Sequence, residues 1–182
     1  MKLVTLETPR LILKGFRPED MNYIFSNLNE TEIMQLLGHR NDEEFLKEQE
    51  KQQKGYATYN RSFLLFLLHE KESGIIIGRC GLHNWNPEHF RAEIGYNMIE
   101  ENFKRKGFMS EALEAIIAYG FSELNLNRIE ALVAPGNVPS IRLLVKNNFI
   151  QEAVLKQHYF HEGKFEDSIV FALLRADYFE NI

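Results

Sequence analysis

A basic segment with a single glycine stands directly before the longest helical pattern of the chain. It reads Lys104-Arg105-Lys106-Gly107-Phe108-Met109-Ser110. The first N–H groups of a helix have no partner within the helix and carry a partial positive charge, and glycine lets the backbone turn tightly or approach a ligand closely. With three cations beside them, these N–H groups predict an anion site suited to phosphate. The alternative is a solvated basic cluster next to a helix end.

Two common phosphate-binding patterns are absent from the sequence. It contains neither the G-x-x-x-x-G-K-[ST] loop of nucleoside triphosphate sites nor the G-x-G-x-x-G turn of dinucleotide sites. We therefore expect a phosphorylated cofactor of another kind.

The elements that must position this segment follow from the hydrophobic pattern. Strands are predicted at residues 10–16, 63–68, 75–82, 91–98, 128–133, 151–160 and 168–174. Helices are predicted from Arg17, over residues 42–59, from Met109, and over residues 140–147 with Ser140 as the cap. Hairpins and crossovers alternate in this order, which favours an α+β or mixed sheet over a doubly wound parallel one. No repeat or linker interrupts the chain, so one domain over residues 1–182 is expected.

Composition and charge exclude several functional classes. The net charge of -5 gives no overall basic field for nucleic acid or an anionic membrane. No apolar run approaches the roughly 18–20 residues of a membrane span, and the first residues lack the pattern of a secretory signal, so a cytoplasmic location is expected. Cys80 is the only cysteine, which leaves no intrachain disulfide and no thiolate metal cage. Its apolar surroundings predict a small buried side chain and not a nucleophile.

The segment around Gly107 resembles motif A of the GNAT superfamily of N-acetyltransferases, Q/R-x-x-G-x-G/A, with Lys104 at its first position and Met109 at its last. Further segments resemble the ribosomal-protein N-terminal acetyltransferase (RimJ/RimL-like) branch. These are residues 8–13 with 16–20, the central strand at 92–96, the N-x-x-S-x-x-L-x-x-K-x-G-F pattern from Asn137 with Asn148 in place of glycine, and the closing strand from Asp167. The resemblance covers most of the chain except residues 29–61.

The resemblance implies the acyl-CoA N-acyltransferase fold: a mixed, mostly antiparallel seven-stranded sheet flanked by helices. It also implies a splayed cleft between the fourth and fifth strands that holds the pantetheine arm of coenzyme A. The implied reaction is direct transfer of the acetyl group from acetyl-CoA to a primary amine in a ternary complex, without a metal.

Such a transfer needs a base that removes a proton from the amine, a hydrogen-bond donor that stabilises the oxyanion, and an acid that protonates the CoA thiolate. Glu93 is the candidate base, acting through a water; the alternative is a surface carboxylate or one paired with Arg91. Ser140 is the candidate acid, although it could simply cap its helix. Tyr96 and Tyr159 are reserve candidates.

The resemblance also implies which residues bind the cofactor. Asn137 would bond the pantetheine amides, although a plain turn residue is the alternative, and the backbone near Met98 and Ile99 would supply the oxyanion donor. Lys146 would lie near the CoA end of the cleft, or would be an ordinary exposed lysine. The full predicted cofactor set is Met98, Ile99, Lys104, Arg105, Lys106, Gly107, Phe108, Met109, Ser110, Asn137 and Lys146.

The acceptor is the least determined part of the hypothesis. An α-amine is more often neutral near pH 7 than a lysine amine, which favours a protein N-terminus, such as that of a ribosomal protein, or a small α-amino compound. The alternatives are an aminoglycoside or polyamine acceptor, or a CoA-binding regulatory protein without turnover. His158 and His161 are predicted to face opposite sides of a strand, so a shared metal ion is not expected. We expect no nucleic-acid or membrane partner, and a monomer or homodimer.

Overall fold

The computed structural model describes residues 3–56 and 61–180. Eight strands in this part of the chain form one sheet with the order β1-β2-β3-β4-β5-β6-β8-β7. The strands are β1 (Val4–Glu7), β2 (Leu11–Phe16), β3 (Ser62–Glu70), β4 (Ile76–Asn86), β5 (Arg91–Met98), β6 (Arg128–Val133), β7 (Ile150–His161) and β8 (Lys164–Leu174).

Helices cover both faces of the sheet. They are α1 (Pro18–Asn27), α2 (Glu30–Leu37), α3 (Asp42–Lys54), α4 (Phe108–Ser122), α5 (Val138–Lys146) and α6 (Arg175–Glu180), with one 3₁₀ turn at Glu101–Phe103. Within residues 3–56 and 61–180, none of the helices has the length and apolar character needed to cross a bilayer.

The sheet opens between β5 and β6. All other neighbouring strands are antiparallel, whereas β5 and β6 are parallel and are paired only from Arg91 with Arg128 to Glu93 with Glu130. Because β5 continues to Met98 and β6 to Val133, their remaining edges face a wedge. The main-chain groups on these edges need other partners, such as water or a bound ligand.

The two faces of the sheet have different cores. On one face, α4 packs Leu113, Ile116 and Phe121 against sheet residues such as Leu82 and Ile129. On the other face, helices α1 to α3 cover a smaller core that includes Phe16, Met21, Ile24, Ile33, Leu37, Phe45 and Leu67. The helix α4 connects β5 to β6. Its buried apolar residues therefore hold the start of the helix beside the wedge.

The predicted fold class is confirmed, and the open pair β5 and β6 corresponds to the predicted fourth and fifth strands. The count of seven strands is one too low because the short β1 was not predicted; it pairs with β2 at the edge of the sheet. Helices α2 and α6 were also not predicted, although Asn29 and Glu32 form a capping box that marks the start of α2. The helix predicted over residues 42–59 ends at Lys54, and residues 57–60 lie outside the described part.

Candidate active site

The predicted anion turn lies at the start of α4. Gly107 is the N-cap residue of this helix, has a φ of 82°, and provides no side-chain cap. This left-handed conformation strains any residue with a Cβ, which explains the glycine. The first-turn N–H groups, which begin at Phe108, are therefore free of a capping side chain and can donate to an anion.

Arg10, just ahead of β2, holds this turn in place. Its guanidinium donates to the Lys106 carbonyl at 2.9 Å and to the Glu111 carboxylate at 2.7 Å, and it lies 4.1 Å above the Phe108 ring. Thr8 also donates to Glu111, at 2.6 Å. Burial raises the pKa of Glu111, but the hydrogen bonds from Thr8 and Arg10 outweigh it and hold the pKa below the ordinary value. No local sequence pattern indicates that Thr8 and Arg10 support this turn through Glu111.

The three basic residues of the turn are exposed. Lys104 forms an ion pair with Glu101, and the Lys106 ammonium lies 5.6 Å from the centre of the Phe103 ring. Arg105 has a φ of 61°. The cations therefore surround the turn from the solvent side, where they can neutralise a phosphate held by the main chain.

Lys146, in the last turn of α5, reaches the start of α4. Its ammonium donates to the Ser110 hydroxyl at 2.6 Å and lies 3.5 Å from the Glu114 carboxylate. The Ser110 hydroxyl donates in turn to Glu114 at 3.0 Å. Lys146 thus lies beside the predicted phosphate turn, and Ser110 keeps only its main-chain N–H for a ligand.

A cleft of about 570 Å³ occupies the wedge and is lined by residues from β4, β5, β6, β7, β8 and the start of α5. Asn137 and Ser140 of the predicted set line it, as do Glu93, Tyr96 and Tyr159. Asn137 is the N-cap of α5, and its side-chain oxygen accepts from the Ser140 N–H at 3.2 Å.

Ser140 does not cap α5, so that alternative is wrong. Since Asn137 takes the cap position, Ser140 lies in the first turn, and its hydroxyl is 2.7 Å from the Tyr96 hydroxyl. Burial raises the pKa of Tyr96, which keeps its phenol protonated over the neutral range. The two hydroxyls therefore form a hydrogen-bonded pair that lines the cleft, and this brings one predicted acid together with a reserve candidate.

Both alternatives to a catalytic Glu93 are wrong, since it is neither paired with Arg91 nor an exposed surface carboxylate. Arg91 pairs with Glu130 at 3.3 Å, whereas the Glu93 oxygens lie 3.1 Å from His83 Nε2 and 3.0 Å from Asn84 Nδ2. Burial raises the pKa of Glu93, but the hydrogen bonds from His83 and Asn84 bring it below the ordinary value. Each carboxylate oxygen of Glu93 thus has a partner, and the Glu93 side chain is 20% exposed.

Of the two predicted oxyanion donors, only one faces the wedge. The Ile99 N–H donates to the Ile77 carbonyl at 2.9 Å, toward β4. Because successive N–H groups of a strand point to opposite edges, the N–H of Met98 points away from β4, toward the wedge, although Met98 does not line the cleft. The Ile99 amide is therefore not available as a donor.

The histidines on β7 do not form a metal site with their neighbours. His158 bonds the Ser168 hydroxyl at 3.0 Å. His158 and His161 both line the cleft, contrary to the predicted opposite orientation, because β7 has an irregular register between Leu155 and Tyr159. Among residues 3–56 and 61–180, no group of three or more metal-ligating side chains is arranged to hold an ion.

Comparison with known proteins identifies the family. Residues 10–150 match the model of the acetyltransferase (GNAT) domain. The chain belongs to the GNAT acetyltransferases. The family uses acetyl-CoA as its acetyl donor.

Individual relatives agree with this GNAT assignment. The chain is 34% identical over 171 residues to the uncharacterised N-acetyltransferase YoaA of Bacillus subtilis, covering 93% of this chain and 96% of that protein. It is 30% identical over 120 residues to the ribosomal-protein-serine acetyltransferase of Escherichia coli, and the match covers 66% of this chain and 62% of that protein. The spermidine/spermine N-acetyltransferase SpeG of Vibrio cholerae has the same fold, with a TM-score of 0.68 at 19% identity over 94% of this chain and 98% of that chain.

Proposed function

We propose that this GNAT acetyltransferase transfers the acetyl group of acetyl-CoA directly to an α-amine of a protein N-terminus or of a small α-amino compound. The observation that carries the proposal is the relation between the cleft and α5. The start of this helix lines the cleft with Ser140, while Lys146 in its last turn contacts the start of α4. One extended cofactor can therefore lie along α5, from the anion turn to the hydroxyl pair.

The described residues fit the chemical groups of acetyl-CoA. The uncapped N–H groups after Gly107 suit the diphosphate, and the exposed cations Lys104 to Lys106 complement its charge. The free edges of β5 and β6 suit the pantetheine amides, because they offer main-chain donors and acceptors in extended geometry. The amide nitrogen of Asn137 is available to the same arm, since only its oxygen is used for capping.

The reaction at the thioester requires balanced proton transfers. An ammonium acceptor first loses one proton, and its neutral nitrogen attacks the acetyl carbon. The carbonyl becomes an oxyanion, and we assign its stabilisation to the Met98 N–H. The C–S bond then breaks, and the Tyr96–Ser140 pair donates a proton to the leaving thiolate. The nitrogen loses a second proton to solvent, and solvent returns a proton to the Tyr96–Ser140 pair. The products are one amide, one thiol and one free proton.

The basicity of the acceptor supports the α-amine. Reference pKa values are about 7.7–8.0 for an α-amino group and about 10.4 for lysine, so a much larger fraction of α-amine is neutral at pH 7. The proposal also agrees with the ribosomal-protein substrate named for the Escherichia coli relative. The polyamine substrate named for SpeG defines the main alternative.

The test is acetyl-CoA turnover, measured as free thiol release, with four acceptor classes: peptides with free N-termini, amino acids, polyamines and aminoglycosides. We expect the highest kcat/KM with an α-amine acceptor. A preference for spermidine or an aminoglycoside would replace the proposed acceptor. Tight CoA binding without thiol release for any acceptor would instead indicate a CoA-binding regulatory protein.

A further inference from the structure

Two cavities share a short stretch of lining that includes one histidine. Besides the cleft in the wedge, a second cavity of about 410 Å³ lies between the sheet and α3 and is lined by residues such as Tyr56, Phe63 and Arg79. His83 lines both cavities, together with its neighbours Gly95 and Tyr96. His83 is therefore accessible both from the cleft, where we propose that the thioester binds, and from the second cavity.

The position of the His83 ring is set by two contacts on β5. Glu93 lies directly opposite His83 in the β4–β5 register, and its carboxylate oxygen is 3.1 Å from His83 Nε2. The ring also lies against Gly95, because a Cβ at that position would be 2.9 Å from Cε1 and 3.3 Å from Nδ1. Gly95 thus leaves the space that the imidazole fills.

These contacts define which nitrogen can accept a proton. A carboxylate accepts hydrogen bonds, so Nε2 must carry the hydrogen that bonds Glu93. The neutral imidazole then has its lone pair on Nδ1. Among the hydrogen bonds of the described residues, none involves His83 Nδ1. The His83 side chain is 45% exposed, so a proton received there can pass to solvent.

We infer that His83, and not Glu93, removes the proton from the acceptor ammonium, with Glu93 as its positioning residue. This inference rests on the proposed acetyl transfer. His83 Nδ1 takes one proton from the ammonium, the N–H bond pair stays on the amine nitrogen, and the amine attacks the acetyl carbon. The Glu93 carboxylate stabilises the imidazolium until its proton leaves to water. Each Glu93 oxygen already has one partner, His83 on Oε1 and Asn84 on Oε2, whereas the lone pair of His83 Nδ1 has none of the hydrogen bonds found among the described residues.

The test compares two acceptors that differ in whether the attacking nitrogen is protonated at neutral pH. One is the α-amine acceptor with the highest turnover, and the other is its aminooxy analogue, which is already uncharged at neutral pH and needs no base for the first step. For His83→Gln we expect a loss in kcat of about 100-fold or more with the amine, less than tenfold with the analogue, and unchanged CoA affinity. His89→Gln is the control, because His89 is exposed in the β4–β5 turn.

Two further variants keep the inference testable if His83→Gln does not fold. Gly95→Ala retains the imidazole but displaces it, because the new Cβ would contact Cε1, and it should give the same acceptor-dependent loss. Glu93→Gln should give a smaller loss with the same dependence on acceptor. Equal losses on both acceptors, or full activity of His83→Gln, would overturn the role of His83. Absence of turnover by the wild-type chain would instead contradict the proposed function.

Discussion

In the cofactor site that we propose at the start of α4, the binding groups are main-chain N–H groups of a single turn. In the proton-transfer site that we propose in the cleft, the groups are side chains that come together from β4, β5 and α5. Gly107 sets the first region through its backbone conformation. The second region depends on the contacts of Glu93 with His83 and of Tyr96 with Ser140. We therefore expect the turn to tolerate changes of side chain such as Met109, and we expect turnover to depend on the identity of the four side chains in the proton-transfer site.

The largest effect should come from a change in the backbone of the turn. Gly107→Trp places a Cβ at a φ of 82° and within 3.4 Å of the Arg10 guanidinium. Loss of two hydrogen bonds to a charged diphosphate, each about 1.5–3 kcal/mol, corresponds to at least about 100-fold weaker CoA binding. Isothermal titration calorimetry measures this loss.

Gly74→Trp is the matched control, because Gly74 has a φ of 72° and open space around its Cβ position. It should cost similar backbone strain but leave CoA affinity unchanged. Unchanged affinity of Gly107→Trp, with a normal thermal unfolding transition, would exclude the turn as the diphosphate site.

A change in the hydroxyl pair should lower kcat and not cofactor affinity. Tyr96→Phe and Ser140→Ala should each reduce kcat by about 100-fold, the usual contribution of a general acid. The double variant should lose much less than the product of the two effects, because both hydroxyls serve one proton path. Steady-state kinetics of the three variants checks this.

Tyr23→Phe is the control for this pair, since Tyr23 is 52% exposed on α1. Independent, multiplicative losses would show that Tyr96 and Ser140 do not act together. Wild-type kcat in all three variants would require another acid.

The stabilisation of the turn by the Glu111 carboxylate should depend on pH. The pKa of Glu111 lies below its ordinary value of 4.5 in the folded chain, so its stabilisation is present above pH 4.5 and is lost as pH falls through the folded value. Glu111→Gln should lower the free energy of unfolding by about 1 kcal/mol at pH 7. The difference from wild type should shrink toward zero in acid, as urea titrations at several pH values would measure.

Glu50→Gln provides the comparison for this pH effect, because Glu50 forms only an exposed pair with Lys54. Its effect at pH 7 should be much smaller than that of Glu111→Gln. A Glu111 difference that stays constant from pH 7 to pH 3 would show that the carboxylate charge does not stabilise the turn.

The smallest effect is expected at Cys80. Its thiol is fully buried, and this burial raises its pKa well above the usual range. Cys80→Ala should leave kcat within about twofold of wild type, since direct transfer forms no acyl-cysteine intermediate. Loss of turnover in a folded variant that still binds CoA would indicate an acyl-enzyme in place of direct attack.

The difference between the two regions also explains what the sequence could predict. The Gly107 turn follows from a local pattern of consecutive residues, whereas the open strand pair is expected only from the family resemblance. The hydrogen bond from Arg10 to Glu111 joins residues that are 101 positions apart, and no local pattern indicates it. The pair of His83 and Glu93 depends on the β4–β5 register, which the sequence does not specify. The residue type of Ser140 favours a cap, but the amide oxygen of Asn137, three residues earlier, takes that position and accepts from the Ser140 N–H.

A crystal structure of the chain with acetyl-CoA tests the cofactor site most directly. We predict the diphosphate at the main-chain N–H groups that follow Gly107, the pantetheine arm between β5 and β6, and the thioester sulfur within hydrogen-bond reach of the Tyr96–Ser140 pair. An empty turn, with the cofactor bound elsewhere or excluded from the wedge, would contradict this site and the transfer chemistry assigned to it.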